Sequence, residues 1–491
     1  MTAITVRRTG QRLLPDARRV IAKPYLPGEE IGPGGDSRAG LLMQRVLAIP
    51  EEQVSALLAA ILVNFSGRHR NFTGLLERHF GLVAHHVGPH VRLSDERRLL
   101  IGAYFSNEYS VEGAALLNPS IVIGPDQTGV PPGQRRFVMS VRSVGEGHIS
   151  SIELRSGLID AASTLTFDVL GTKLVTGART PPAAYDRAQF AAKLVELGAG
   201  NSLARGVLER LPARFTLPQL EASLAELAAH GPPHAISYET AKIMHMLAAS
   251  NYVTTFPPDS ALSERVLFPA GPHESHGMED ARFVRFTGPG GAVSYYATYT
   301  AYDGFEILPQ LIETTDFLSF SISTLNGTAA QNKGMALFPR QIGGKYIMLS
   351  RKDRENLHLA VSDDVRLWTE VTELDRPAAP WELLQIGNCG SPLETPAGWL
   401  VLTHGVGPMR RYAMGALLLD LEDPRRVIGH LSSPLLEPDA SEREGYVPNV
   451  VYSCGGLLNG DDLVLPYGFS DAGIAIAVIP LPELLAELQR G

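Results

Sequence analysis

Only two cysteines, Cys389 and Cys454, occur in 491 residues. A chain so poor in thiols has no disulfide framework and no cysteine-based metal signature, and a reducing cytoplasm is its expected home. Long apolar runs are missing too. The longest, Val54 to Val63, is far short of a membrane span, and Met1 to Val20 has arginines but no apolar core of the kind a secretory signal needs. Neither membrane anchoring nor export is expected. No lysine- or arginine-rich block dominates any segment and the formal charge is -9, which argues against nucleic acid as a partner. The turns Gly124 to Gly133 and Gly288 to Gly291 lack the Lys-Ser/Thr ending of a phosphate cradle. His273 and His276 lie close together without two further ligands at a recognisable spacing, so no metal is expected.

What is present is a globular composition, 44% hydrophobic and 19% charged, enough for one large core or two to three domains. Helical spacing runs from Pro50 to about Val87, where Leu57, Leu58, Ile61, Leu62, Leu75 and Leu76 share a face. It recurs from Asp186 to about His230, through Phe190, Leu194, Leu197, Leu203, Val207, Leu208 and Leu211. Tyr238 to Ser250 is a third helical candidate, and Pro482 to Arg490 closes the chain with a short amphipathic stretch.

Elsewhere the pattern changes to paired β-like runs. Phe137 to Arg142 is followed by Ile149 to Leu154, Tyr295 to Thr300 by Gln310 to Phe320, and Tyr346 to Arg351 by Leu357 to Val361. Trp399 to His404 is followed by Tyr412 to Leu419, and Leu463 to Gly468 by Ile474 to Ile479. Five repeats of one antiparallel unit predict a mainly β fold, a five-bladed β-propeller, with an N-terminal helical region and a helical insertion. The expected division is a helical extension over 1–100, a propeller over 101–481 with the insertion at about 186–250, and a terminal helix over 482–491.

Propellers bind ligands at the axis, so polar residues at strand ends become candidates: Arg142, Tyr299, Tyr302 with Asp303, Arg351, His404 and Asp471. Each alone reads as an ordinary strand-end or turn residue. Their recurrence at one position of successive units is what singles them out. Asn118, in Asn118-Pro119-Ser120, offers an amide able to bond a sugar hydroxyl. The stretch HGMEDARF, His276 to Phe283, places Glu279 and Asp280 just before Arg282; a carboxyl group near a guanidinium is a proton donor in a tuned charge environment.

Taken in order, Asn118-Pro119, Arg142, GMEDARF, KGMALFP (Lys333 to Pro339), GGKYIMLSR (Gly343 to Arg351), GWLVLTHGV (Gly398 to Val406), YAMGALLLDLEDP (Tyr412 to Pro424) and Asp471 resemble glycoside hydrolase family 130. That family comprises β-mannoside phosphorylases and β-mannosidases, and its members are five-bladed propellers. The resemblance covers roughly 114 to 481, without the helical insertion. It implies an inverting β-mannoside phosphorylase that splits a mannosyl bond with inorganic phosphate to give mannose 1-phosphate, with no other cofactor. Asp280 matches the general acid, which acts through a hydroxyl of the bound mannose. Arg282 would orient it, and Asn118, Arg142 and Asp471 would hold the sugar, with Glu279, Tyr302, Asp303 and Lys333 as further substrate-binding candidates. His404 and Tyr412 match the phosphate site, with Arg351, Arg340 and Lys333 nearby; a dianion needs such a cluster.

One departure stands out. Many phosphorylases of the family carry a lysine before the Ile-Gly of LLQIGNCGSPLET (Leu383 to Thr395), where this chain has Gln385. An inverting β-mannosidase, with Glu394 or Glu382 as base for water, is therefore the second expectation, and a non-catalytic sugar-binding propeller is the third. The partner in each case is a small oligosaccharide, and the helical regions are candidate surfaces for a homo-oligomer. Linkage and acceptor sugar are not encoded in any readable motif.

Overall fold

A computed structural model describes residues 4–28, 37–230 and 238–490. Residues 231–237, inside the expected insertion, therefore lie outside the described residues. The fold is mainly β with added helices. Contacts divide the chain into two compact units: one of 1–15, 114–170 and 177–491, the other of 16–113 with 171–176.

The larger unit contains five groups of four antiparallel strands in chain order. The first runs Ala115–Ile123, Arg135–Val144, Ser150–Ile159 and Leu165–Phe167. Gly277–Thr287, Val293–Tyr302, Ile307–Thr314 and Ser319–Thr324 make the second. Ala336–Leu337, Tyr346–Ser350, Leu357–Ser362 and Glu370–Asp375 make the third. The fourth is Gln385–Asn388, Gly398–Val406, Tyr412–Leu419 and Val427–His430. The fifth takes Val451–Tyr452, Asp462–Phe469 and Gly473–Pro480, and completes itself with Arg7–Leu13 from the other end of the chain. The first two groups join in one larger sheet through a parallel pairing of Gly277 with Ser150, and among the described residues no sheet closes on itself.

The paired runs recognised in the sequence are the second and third strands of these groups. Each group also has a first strand, in some only two residues long, as at Ala336–Leu337 and Val451–Tyr452; so short a strand carries no period. Gln310 to Phe320, expected as one strand, is two: Asp316 Oδ1 accepts from the amides of Leu318 and Ser319 at 2.8 and 3.0 Å and turns the chain between them. Central strands such as Gly398–Val406 are buried along their whole length, which is why GWLVLTHGV is almost continuously apolar. The outer strand Glu370–Asp375 is partly exposed and correspondingly polar.

Helices Arg187–Glu196, Ser202–Glu209, Leu217–His230 and Tyr238–Ala249 occupy the insertion. Asp186 and Asn201 cap the first two by accepting from amides of the opening turn. Phe190, Leu194, Leu203, Val207, Leu208, Leu220, Met244 and Leu247 form a core of their own. The terminal helix Leu481–Leu488 buries Leu481, Leu484 and Leu488 against strands of the fourth and fifth groups.

The smaller unit packs Arg38–Leu47, Glu51–Phe65, Phe72–Val83 and Asp95–Tyr104 around Met43, Val46, Val54, Leu76, Val83, Leu100 and Phe105. Arg97, buried among them, donates to the carbonyls of Val46 at 2.9 Å and Ile49 at 2.7 Å, closing the end of the first helix and the turn after it. No single helix among the described residues is long and apolar enough to cross a membrane.

Candidate active site

Two β-bulges build the centre of the site. Between Leu117 and Ser120, two residues of the Ala115–Ile123 strand oppose one on its neighbour, and the same happens between Glu279 and Arg282 in Gly277–Thr287. The extra turn of backbone puts Asn118 (φ 51) and Asp280 (φ 57) in the left-handed region. Asx side chains tolerate that conformation, which costs other residues about 1–2 kcal/mol. Each bulge aims its polar side chain at the other: Asn118 Nδ2 donates to Asp280 Oδ1 at 2.6 Å.

Three cations surround the two acidic side chains. Arg142 Nη1 donates to Asp280 Oδ1 at 3.1 Å and its Nη2 to Glu279 Oε1 at 2.8 Å. Lys333 Nζ donates to Glu279 Oε2 at 2.5 Å. Arg282, only 2% exposed, donates to the Asp280 backbone carbonyl at 3.1 Å and to the Tyr452 hydroxyl at 2.8 Å, and lies 3.9 Å from Asp280 Oδ2. Burial alone would raise the Asp280 pKa. The charges of Arg142, Arg282 and Lys333, with the Asn118 hydrogen bond, overcome this and hold it at about 2. Asp280 is therefore a carboxylate in the free protein, and Arg142, more than Arg282, is its direct hydrogen-bond partner.

Members of this cluster line two cavities. The first, about 280 Å³, is lined by Arg142, Glu279, Tyr302, His276, and the stacked rings of His148 and Tyr446, whose centroids are 5.2 Å apart. The second, about 340 Å³, is lined by Asn118, Asp280, Lys333, Arg351, Arg410, Gln385, His404, Tyr412 and Tyr452. Asp471 lines both.

In the second cavity Arg351 Nη1 lies 3.1 Å from His404 Nε2. A guanidinium only donates, so Nε2 accepts and the imidazole proton sits on Nδ1. Burial, reinforced by the charges of Arg351 and Arg282, pushes the His404 pKa well below the usual value. His404 is thus neutral, and the positive charge of this wall resides on Arg351, Lys333 and Arg410. Gly387 is opposite His404 in register, and a Cβ there would come within 2.6 Å of the imidazole, so only glycine leaves room for this ring.

The structure brings Asn118, Arg142, Glu279, Asp280, Arg282, Lys333, Arg351, His404, Tyr412 and Asp471 together from distant parts of the chain. Tyr302 reaches the first cavity and donates to the Gly304 carbonyl at 2.8 Å. Asp303 caps a turn instead, accepting from the amides of Phe305 and Glu306. Arg340 is not in the cluster: it forms a bidentate pair with Glu394 at 2.9 and 2.7 Å over the Trp399 ring, in a separate cavity lined by Phe283 and Leu393. Glu382 is fully buried and accepts from the amides of Ala378 and Ala379. Sequence reasoning missed Tyr452, Arg410, His148 and Tyr446. The Arg410-Arg411 doublet before Tyr412 was a visible signal; Tyr452, on a two-residue strand, had none.

Comparisons with known proteins bear on the same residues. The glycoside hydrolase family 130 model, described as beta-1,4-mannooligosaccharide phosphorylase, matches residues 259–490. A 1,2-beta-oligomannan phosphorylase of Thermoanaerobacter sp. is 34% identical over 215 residues, covering 43% of this chain and 71% of that protein. A beta-1,2-mannobiose phosphorylase of Listeria innocua is 32% identical over 231 residues, covering 45% and 63% respectively. Among solved structures, a beta-1,2-mannobiose phosphorylase from Listeria innocua in complex with beta-1,2-mannobiose aligns over 78% of this chain and 94% of its own, at 24% identity and a TM-score of 0.46. Asp280, Lys333, Arg351, His404, Tyr412 and Asp471 fall inside the family match, while Asn118 and Arg142 join them through the hydrogen bonds to Asp280, and the chain belongs to glycoside hydrolase family 130.

Proposed function

We propose that this protein is an inverting β-mannoside phosphorylase, cleaving a β-mannosidic bond with inorganic phosphate to release mannose 1-phosphate. The observation that carries this reading is the wall of the second cavity. It gathers Lys333, Arg351 and Arg410 beside Asp280, as a dianion requires, and it includes neither Glu394 nor Glu382, the two carboxylates considered as bases for water. The first cavity, with aromatic rings beside charged hydrogen-bonding groups, suits a sugar. Asp280 is the residue through which a proton reaches the glycosidic oxygen by way of a mannose hydroxyl, while phosphate attacks the anomeric carbon from the opposite face. Arg142, Asn118 and Asp471 hold the mannose.

The five four-stranded groups in chain order support a five-bladed propeller, with the site at the inner strands and the ends of their neighbours. Free, buried Cys389 and Cys454 fit a reducing cytoplasm. Hydrolysis by an inverting β-mannosidase is the second reading, favoured by the uncharged Gln385 in the second cavity. Incubation with β-1,2- and β-1,4-linked mannosides decides between them. Mannose 1-phosphate formed only with phosphate supports phosphorolysis; free mannose formed without phosphate supports hydrolysis; neither product leaves a sugar-binding protein.

A further inference from the structure

A further cavity, about 590 Å³, shares no lining residue with the catalytic cluster and exceeds either cavity there in volume. Its walls come from the helical insertion, at Gln189 and Leu247, from Ser321 and Ser323 of the second strand group, and from Asp364 and Arg366 of the third. A helix laid over a sheet ordinarily meets an apolar face. Here the strand Ser319–Thr324 alternates: Phe320, Ile322 and Thr324 are buried, while Ser321 and Ser323 are partly exposed and give the cavity a hydroxyl floor. Two cross-links hold the walls. Gln189 Nε2 donates to Asp364 Oδ2 at 2.6 Å and the Gly327 amide to Glu196 Oε1 at 2.5 Å, tying the first insertion helix to the strand groups beneath it. The space is thus formed in advance of any ligand.

The charges lining it are mostly committed inside the protein. Asp186 accepts from the amides of Ala188 and Gln189 at 2.9 and 3.0 Å, and Asp364 accepts from the Arg366 amide at 2.9 Å as well as from Gln189. Arg366 donates to Glu313 Oε2 at 2.5 Å and to Ser323 Oγ at 3.3 Å. Asp186 and Asp364 offset Arg214 and Arg366 in sign, so the lining favours neither an anion nor a cation. Three polar groups remain unmatched. The Ser321 hydroxyl and the exposed Arg214 guanidinium have no hydrogen-bond partner among the described residues. Asn326, 3% exposed, donates from Nδ2 to the carbonyls of Thr324 and Arg366 at 3.1 and 3.0 Å; this fixes the orientation of its amide and leaves Oδ1 buried without a donor.

We infer that this cavity is a second carbohydrate site, holding a neutral oligosaccharide apart from the catalytic centre. An unmatched donor on Arg214, an unmatched acceptor on Asn326 and a hydroxyl on Ser321 that can serve as either call for a ligand that donates and accepts at several points. Sugar hydroxyls do both. A phosphate dianion would meet the carboxylates of Asp186 and Asp364, and an apolar ligand would strand the serines. The volume lies within the range of about 300–1,000 Å³ typical of small-ligand sites, and it exceeds the 280 Å³ of the cavity assigned above to a sugar, so more than one ring has room. Because the lining residues are separate, a sugar held here does not compete with one at Asp280. The inference goes beyond the reaction proposed above and is the same for phosphorolysis and hydrolysis; a β-mannoside is its probe because the catalytic site is read as binding one.

The test is calorimetric titration of the full chain carrying Asp280→Asn, which slows turnover, with β-1,2-linked mannotetraose in the absence of phosphate. Two sugars per chain are expected. Adding Ser321→Phe, which fills the cavity from a partly exposed strand position, removes one of them and leaves the other within about twofold in affinity. Adding Arg214→Ala instead weakens the same one about fivefold, the scale of a single hydrogen bond. Excess inorganic phosphate leaves this second site unchanged. An isotherm, of one site or two, that ignores both substitutions overturns the inference, as does displacement of the Ser321-sensitive sugar by phosphate. Should Ser321→Phe fail to fold, Arg214→Ala decides alone: one of two sites weakened supports the inference, and an unaltered isotherm overturns it. A chain that binds no mannotetraose at all sinks the mannoside reading together with this inference, an outcome distinct from binding at the catalytic site only, which sinks the second site and leaves that reading standing.

Discussion

Asn118 and Asp280, 162 positions apart, meet at 2.6 Å because each stands in a left-handed bulge of its own strand. The amide both orients the carboxylate and lowers its pKa, so its loss affects chemistry more than folding. Asn118→Gly keeps the backbone geometry and removes only the amide; it is expected to lower kcat on the order of 10²-fold with little change in melting temperature. Asn118→Ala adds a left-handed strain of about 1 kcal/mol and should lower the melting temperature as well. Steady-state kinetics and thermal melts on the pair separate the two contributions.

Asp280→Asn removes the proton carrier and a counter-charge of two buried guanidinium groups. Turnover should drop on the order of 10³-fold while mannoside still binds. Stability should fall by roughly 3 kcal/mol, the scale of breaking a buried ion pair from one side. Calorimetric binding and chemical denaturation of the variant check both, and a variant that turns over like the wild type would remove Asp280 from the mechanism.

Gln385 lines the second cavity with Arg351 and Lys333 but adds no charge. Gln385→Lys is expected to lower the KM for phosphate about tenfold, equivalent to about 1.4 kcal/mol, and leave the KM for mannoside unchanged. Arg351→Ala should act in the opposite direction and by more, since it also frees His404 Nε2. Initial rates over a phosphate series read out each effect.

In the helical unit His79 Nδ1 lies 2.6 Å from the Ser106 hydroxyl, and burial, with a smaller push from Arg78, lowers its pKa to about 4. A histidine kept neutral in the fold stabilises it fully above the unfolded value of 6.5, and the contribution disappears as pH falls through 4. Urea midpoints followed by helical circular dichroism should therefore decline from about pH 6.5 downward, and His79→Gln should flatten that decline.

Much of this was legible in the letters. HGMEDARF announced an acid beside a guanidinium, and the five paired runs announced repeating antiparallel units, because second and third strands are long enough to show a period. Two of the first strands were not, since two residues such as Val451 and Tyr452 alternate with nothing. Arg340 looked equivalent to Arg351 as a cation near a strand, yet the first is bonded to Glu394 and the second faces His404; which cavity a strand end reaches depends on register. The left-handed conformations of Asn118, Asp280 and Asp471 were likewise invisible, being imposed by pairing with distant segments.

The paired bulges also limit how this chain can change in length. Without the extra residue at 280–281 the ladder would become regular, with Glu279 still opposite Thr300 and Arg282 still opposite Thr298, so Phe283 and Val284 would keep their packing while the left-handed placement of Asp280 was lost. A single-residue deletion there would cost the chemistry far more than the core. Transplanting this centre to another scaffold accordingly means moving both irregular strands as a matched set, since the acid and its amide have no address on a regular ladder.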